Sequence, residues 1–276
     1  MTTTINITTN QQWLCPAGLT HFDLAMCGRG GPGGAGGQGQ SSYGYGGPGQ
    51  GGGAGEGATH TLVPVTPGQY YTITFNADGS VSAFGYTVAG GAAGIHGGSG
   101  FEMQHGYPAY SQTGANGPIA GASAENGSTN AKGNIGGGAG GGGYGAGGGG
   151  GGGGSDYDPQ AGGAGGAGGP ALVRITYGDL PSSDFSATPL IGPHPLDVTF
   201  TQTEAGVSRS WNFGDGTTST SANPTHRYTA TGAMTVILVV ANSYGYTVTE
   251  KTGYITVKYF PCNQVISTVA DMRGAS

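Results

Sequence analysis

Charge is scarce in this chain. Asp, Glu, Lys and Arg make up 8% of its 276 residues, against roughly 25% in an average globular domain. The small imbalance is negative, 8 basic against 14 acidic residues, for a net charge of −6. No basic stripe exists to neutralise phosphates, which excludes nucleic acid as a partner. A run of 18 apolar residues is also missing, so no membrane insertion is expected. The opening Met1–Ile7 has neither the basic nor the apolar region of a secretory signal. The expectation is synthesis in a cytoplasm without a signal peptide.

Cysteine is nearly absent: Cys15, Cys27 and Cys262 are too few and too scattered for a disulfide framework. A Cys15–Cys27 bridge across the intervening turn-rich segment and a pair of buried free thiols both remain open, the thiols being the simpler reading. Catalytic motifs are lacking too. There is no Gly-x-Ser-x-Gly elbow, His-Glu-x-x-His pair or Lys-bearing phosphate loop. Gly-x-Gly-x-x-Gly recurs, but in this background it carries no information. The six histidines are dispersed among few carboxylates, and the glycine tracts hold almost no aspartate for calcium repeats. No enzyme activity, cofactor or metal is expected.

What the chain does have is glycine, 64 residues of it, with 15 prolines. Gly136–Gly154 is glycine except for Ala139, Tyr144 and Ala146, and further tracts run Gly28–Gly57 and Gly162–Gly169. Glycine does not recur strictly every third residue, so this is not collagen. Such tracts are ordinarily flexible linkers, yet disordered chains are usually kept soluble by charge, and here there is little. The other solution is packed three-per-turn glycine helices, within one chain or across subunits. Their backbone groups point outward and pair, and Cα–H···O contacts add about 0.5–1 kcal/mol each.

Around the glycine the signals are those of strands. Ile5 and Ile7 alternate with polar residues, as do Phe22, Leu24 and Met26. Leu62–Val65, a turn at Thr66-Pro-Gly68, and Tyr70–Phe75 read as a hairpin; Asn76–Gly79 is a further turn. Ser80–Val88 reads as one strand, and Ala171–Tyr177 closes the unit. Two long excursions, starting near Gly28 and Ala89, therefore project from a modest β frame, far longer than ordinary loops. The frame's Trp13, Cys15–Gly18, Val65–Gly68 and Tyr71–Ile73 resemble the glycine-rich domain of tailed-phage virion proteins and, more loosely, the polyglycine tip modules of phage tail-fibre adhesins.

From Phe185 the pattern changes to short strands at close spacing, the signature of a β-sandwich. Trp211-Asn-Phe-Gly-Asp-Gly216, Asn223-Pro-Thr-His-Arg-Tyr228, Gly232 and Val236–Asn242 resemble a PKD domain, which implies an immunoglobulin-like sandwich of the kind found in surface and virion proteins. Trp211, Phe213, Tyr228, Met234, Val236, Leu238 and Val240 are its expected core. The fold class is thus all-β: residues 1–179 a glycine-rich β domain, 180–184 a linker, 185–257 a PKD-like sandwich, and 258–276 a tail apolar enough to dock.

Several residues suggest contact surfaces. Tyr43, Tyr45, Tyr107, Tyr110, Tyr144 and Tyr157 punctuate the glycine tracts, where rings suit sugar stacking or protein contact; packing plugs between subunits is an equal reading. Ile237 and Val239 alternate outward from the sandwich core and mark either a covered face or an ordinary apolar surface spot. Asp215, with Asp197 or Glu204, has the residue type for calcium, though a turn residue is the expected role of Asp215. His226, within the PKD-like motif, is expected to pack or hydrogen-bond near a turn.

The function expected from these features is that of a structural and interaction protein of a bacteriophage virion, as a tail fibre, adhesin or capsid decoration. It would work outside the cell as a homo-oligomer, a trimer foremost, in contact with other virion proteins and with host-surface glycan. The alternatives are a cell-surface adhesin or matrix protein, and a carbohydrate-binding accessory module of a hydrolase.

Overall fold

The structure, a computed structural model, describes residues 1–35, 44–45, 50–95, 101–102, 140–148 and 163–259. No helix occurs among them, and the chain is all-β. It divides into two compact units, Met1–Ala17 with His21–Gly178, and Gly18–Thr20 with Asp179–Ser276.

The strands of the first unit are β1 (Thr2–Ile7), β2 (Gln11–Leu14), β3 (His21–Cys27), β4 (Gly44–Tyr45), β5 (Gly57–Pro64), β6 (Tyr70–Phe75), β7 (Val81–Ala83), β8 (Tyr86–Val88), β9 (Phe101–Glu102) and β10 (Leu172–Gly178). One four-stranded sheet has the order β1-β10-β3-β5 and another the order β2-β6-β7-β8, while β4 pairs with β9. Period-two alternation buries Phe22, Leu24 and Met26 of β3 beside Val173 and Ile175 of β10. Aromatic edges join the two sheets: Trp13 meets Phe22 with ring centroids 5.5 Å apart, and Phe84 meets Phe22 at 4.7 Å.

Two local expectations are corrected. Leu62–Phe75 is not a hairpin, because β5 pairs with β3 whereas β6 pairs with β2 and β7. The Thr66–Gly68 turn forms, with Gly68 at φ 76°, but Gly68 and Gln69 exchange backbone hydrogen bonds with Cys15, and the turn hands the chain to the other sheet. Nor is Ser80–Val88 one strand. Phe84 and Gly85 both take positive φ and fold it into the β7–β8 hairpin, the chemistry of a two-residue turn. That reversal places Val81, Ala83 and Val88 inside.

Four glycine segments adjoin frame strands: 28–35 follows β3, 50–56 precedes β5, 89–95 follows β8 and 163–170 precedes β10. Cys27 faces Gly57 across β3 and β5; immediately beyond, Gly28 N–H bonds to Glu56 O, Gly31 to Gly53 and Gly34 to Gln50, at 2.8–3.0 Å. Cys27 also faces Leu172 across β3 and β10, and Gly30 bonds to Gly169 and Gly33 to Gly166. On another side Gly91 bonds to Arg29 and Gly94 to Pro32. The segments 28–35, 50–56, 89–95 and 163–170 thus form one hydrogen-bonded bundle with a repeat of three residues, that of a three-per-turn extended chain; 140–148 joins it through Gly145, Ala146 and Gly148 after a turn in which Gly143 and Gly145 take φ of 93° and 72°.

The close approach is what requires glycine. A Cβ built on Gly30 would lie 1.7 Å from Ala146 O, one on Gly52 2.0 Å from Gly31 O, and one on Gly168 1.8 Å from Gly30 O. In place of that Cβ stands a Cα–H directed at a carbonyl, the weak hydrogen bond that adds to each N–H···O bond. Most side chains occupy the outward phase, Arg29, Pro32 and Ala35, Ala89, Ala92 and Ile95, and Ala164, Ala167 and Pro170, whereas the methyl of Ala146 is buried. Cys15 and Cys27 are buried free thiols, so no bridge joins them. Burial pushes the Cys27 thiol up to about 11 and raises that of Cys15.

The second unit holds β11 (Ser186–Thr188), β12 (Ile191–Pro193), β13 (Leu196–Thr201), β14 (Ser208–Asn212), β15 (Thr218–Ser219), β16 (Thr225–Tyr228), β17 (Gly232–Ala241) and β18 (Tyr246–Lys258). A three-stranded sheet, β11-β13-β16, and a five-stranded sheet, β12-β18-β17-β14-β15, enclose the core. Trp211, Phe213, Tyr228, Met234, Val236, Leu238 and Val240 are all buried there with Phe185, Val198, Phe200 and Ile255. The 180–184 stretch is laced to this unit: Thr247 Oγ1 bonds to Pro181 O at 2.6 Å and Gln202 Nε2 to Ser182 O at 2.9 Å. Of the tail, residues 260–276 lie outside the described residues.

Candidate interaction surfaces

The Asn212–Thr217 turn is built by its own residues. Asn212 Oδ1 accepts from Gly214 N–H, and Gly214 and Gly216 take φ of 83° and 89°. Gly214 also lies so near β17 that a Cβ there would be 2.3 Å from Thr235 O, beside the bulge between Met234 and Val236. Asp215 then reaches sideways. Its Oδ1 accepts from Thr217 N–H at 3.1 Å and from the Thr217 hydroxyl at 2.5 Å, and its Oδ2 accepts from His226 Nε2 at 2.7 Å.

The His226 ring stacks on Phe213 at 4.2 Å and 3°, and meets Tyr228 edge-on. Beneath it the Tyr228 hydroxyl donates to Phe213 O, and Trp211 Nε1 donates to Ser221 O. Burial opposes ionisation of Asp215, but the hydrogen bonds from Thr217 and His226 outweigh it and hold its carboxyl below the ordinary value. Burial drives the Tyr228 hydroxyl well above its usual range.

With both oxygens engaged in this way, Asp215 is a turn residue. Asp197 faces the other way, toward Arg227 at 3.6 Å, with both side chains largely exposed. Among the described residues no group of three or more His, Cys, Asp or Glu side chains is placed to hold a metal ion. The site has the geometry of a structural clasp between β14, β15 and β16.

Ile237 and Val239 lie on the outward side of β17, half-buried. Val239 faces Val248 across the β17–β18 ladder and Ala241 faces Tyr246. Val248 is 52% exposed and Tyr246 40%, so the strip continues as open apolar surface. On the β14 side, Asn212 and Ser210 face Ile237 and Val239. This is a mixed polar and apolar surface, a composition suited to protein contact.

Two of the six tyrosines, Tyr45 and Tyr144, lie among the described residues. Tyr144 is half-buried and packs against Cys27 and Leu172, a plug within its own unit. Tyr45 lies in β4, opposite Phe101. Tyr43, Tyr107, Tyr110 and Tyr157 lie outside the described residues. What the sequence reading passed over is the three-residue phase of the non-glycine positions, which was there to be found, and the surroundings of Arg29, which only the fold assembles.

A PKD domain model matches residues 192–257. The chain is also similar to collagenase ColA of Bacillus cereus, 52% identical over 63 residues. That alignment covers 22% of this chain and 6% of the collagenase. The sandwich unit accordingly contains a PKD domain, an immunoglobulin-like module of adhesive or interacting type.

Proposed function

We propose that this chain is a non-enzymatic structural and interaction protein of a virus particle, as a tail fibre, adhesin or capsid decoration. In this reading the glycine bundle is a rigid, uncharged mount and the PKD domain is a contact module. The protein assembles as a homo-oligomer, a trimer foremost, and meets other virion proteins and host-surface glycan. The observation that carries the reading is the bundle itself. A linker has no use for backbone bonds in a fixed three-residue register, or for glycine where any Cβ would strike a carbonyl. A stiff scaffold has use for both. The resemblance of the N-terminal frame to phage glycine-rich domains supplies the particle.

The similarity to a collagenase over the PKD segment favours a second reading, a cell-surface adhesin or an accessory module of a secreted hydrolase. Immunogold electron microscopy separates them. Gold on released particles in a filtered lysate of the encoding culture is the expected result. Gold confined to cell envelopes, or antigen only in a secreted hydrolase fraction, overturns the virion reading.

A further inference from the structure

A groove of about 430 Å³ opens in the first unit where the glycine bundle meets the turn between β6 and β7. Ala167, Gly168, Pro170 and Ala171 line it together with Phe75, Asn76, Gly79, Ser80, Thr8 and Arg29. Its frame is set by backbone bonds. Arg29 N–H donates to Gly79 O at 2.7 Å, Gly79 N–H to Asn76 O at 3.0 Å, and Asn76 N–H to Ser80 O at 2.9 Å. A site held in this way loses little conformational freedom when a ligand arrives.

The chemistry of the lining is specific. Asn76 Nδ2 donates to Ser80 Oγ, which donates to Asp78 Oδ1 at 2.6 Å, fixing the polar groups of the turn. Phe75 offers a half-buried ring and Thr8 a hydroxyl. Arg29 is exposed, and its guanidinium makes no hydrogen bond or ion pair among the described residues. In a chain with 8 basic residues, a fork of donors that the described residues leave unpaired, on a fixed backbone, suits a planar anion. Hydrogen bonds from Ser80 hold the Asp78 carboxyl of the same turn below its ordinary value. Hydroxyls, an amide and a ring beside one guanidinium fit a sugar that carries a carboxylate.

We propose that this groove binds a carboxylate-bearing saccharide, the uronic or sialic acid of a surface glycan, with the Arg29 guanidinium on the carboxylate and Phe75, Asn76, Ser80 and Thr8 around the ring. The inference rests on the interaction reading above only for its choice of a surface glycan. It is tested on the purified full chain, so its failure leaves the immunogold result standing, and the reverse.

The experiment is NMR or calorimetric titration with oligogalacturonate and with sialyllactose, using lactose and inorganic phosphate as controls. At least one carboxylated sugar is expected to bind in the millimolar range or better, with lactose and phosphate at least tenfold weaker. Arg29→Ala is expected to weaken the carboxylated sugar at least tenfold and leave Trp fluorescence and thermal unfolding unchanged, because the side chain is exposed. Arg29→Lys should recover only part of the loss, since an ammonium cannot present the fork. Ser80→Ala gives a second, milder loss. Equal binding of lactose, equal binding of phosphate, indifference to Arg29→Ala, or no saccharide binding up to about 10 mM overturns the proposal.

Discussion

The two units reach order by opposite means. In the sandwich, large side chains fill the interior: Trp211 and Tyr228 are fully buried, and Phe185, Phe200 and Phe213 pack around them. In the glycine bundle the interior holds almost no side chain, and carbonyls of one segment press on the Cα atoms of the next. One core is made by the hydrophobic effect. The other is made by backbone hydrogen bonds and Cα–H···O contacts, each small, against an ordering cost of about 1–2 kcal/mol per residue. A bundle of that kind cannot begin alone. The comparison points to the frame as the source of its order: β3, β5 and β10 bring the first glycines into register, and each bond then fixes the next.

The largest expected effect lies in the sandwich. Trp211→Ala removes a side chain with no exposed surface and its bond to Ser221 O, and should cost about 3–5 kcal/mol in denaturant unfolding of that unit. Trp13 fluorescence reports the first unit in the same experiment, and its midpoint should not move.

In the bundle the decisive variants are adjacent. Gly52→Ala puts a Cβ 2.0 Å from a backbone carbonyl and should destabilise the first unit by about 3 kcal/mol. Gly53→Ala meets nothing nearer than 3.3 Å and should stay within about 1 kcal/mol of the parent protein. Equal effects at the two positions would dissolve the contrast between the cores.

Acid sharpens it from the other side. Asp215 is held below its ordinary carboxyl value when folded, so its contribution to stability is present above the unfolded value of about 3.9 and is lost as pH falls through the folded one. Thermal unfolding of the sandwich should fall in that window, and Asp215→Asn should flatten the profile while lowering stability at pH 7. The smallest effect is expected for Val239→Ser on the outer face, about 0.5–1 kcal/mol in stability. Any partner held by the strip of Val239, Val248 and Tyr246 should show a far larger loss of binding in a pull-down.

Much of this was legible in the residues. The Trp211–Gly216 and Thr225–Tyr228 motifs fix both strand phase and turn chemistry, so the sandwich core follows almost residue by residue. The frame was legible as strands but not as sheets. Nothing local at Thr66–Gly68 says whether the chain turns back on itself or passes to another sheet, and that choice is made by Cys15, far away in sequence. The β7–β8 turn escaped notice because Phe84 is a poor residue for positive φ; packing of its ring against Phe22 and Trp13 imposes the conformation. Within the bundle, the spacing of Ala89, Ala92 and Ile95 and of Ala164, Ala167 and Pro170 carries the period of three, but it shows only when non-glycine positions are counted instead of glycines. The groove at Arg29 has no sequence signal, since its lining comes from separate stretches of the chain.

Amide hydrogen exchange along 50–56 tests the central claim most directly. Gln50, Gly52, Gly53, Gly55 and Glu56 donate backbone bonds to neighbouring segments, and among the described residues Gly51 and Ala54 have no partner for theirs. The account predicts slow exchange at Gly52, Gly53 and Gly55, approaching that of β3, with fast exchange at Gly51 and Ala54 between them. Uniformly fast exchange across the segment would mean that the glycine tract is a linker after all.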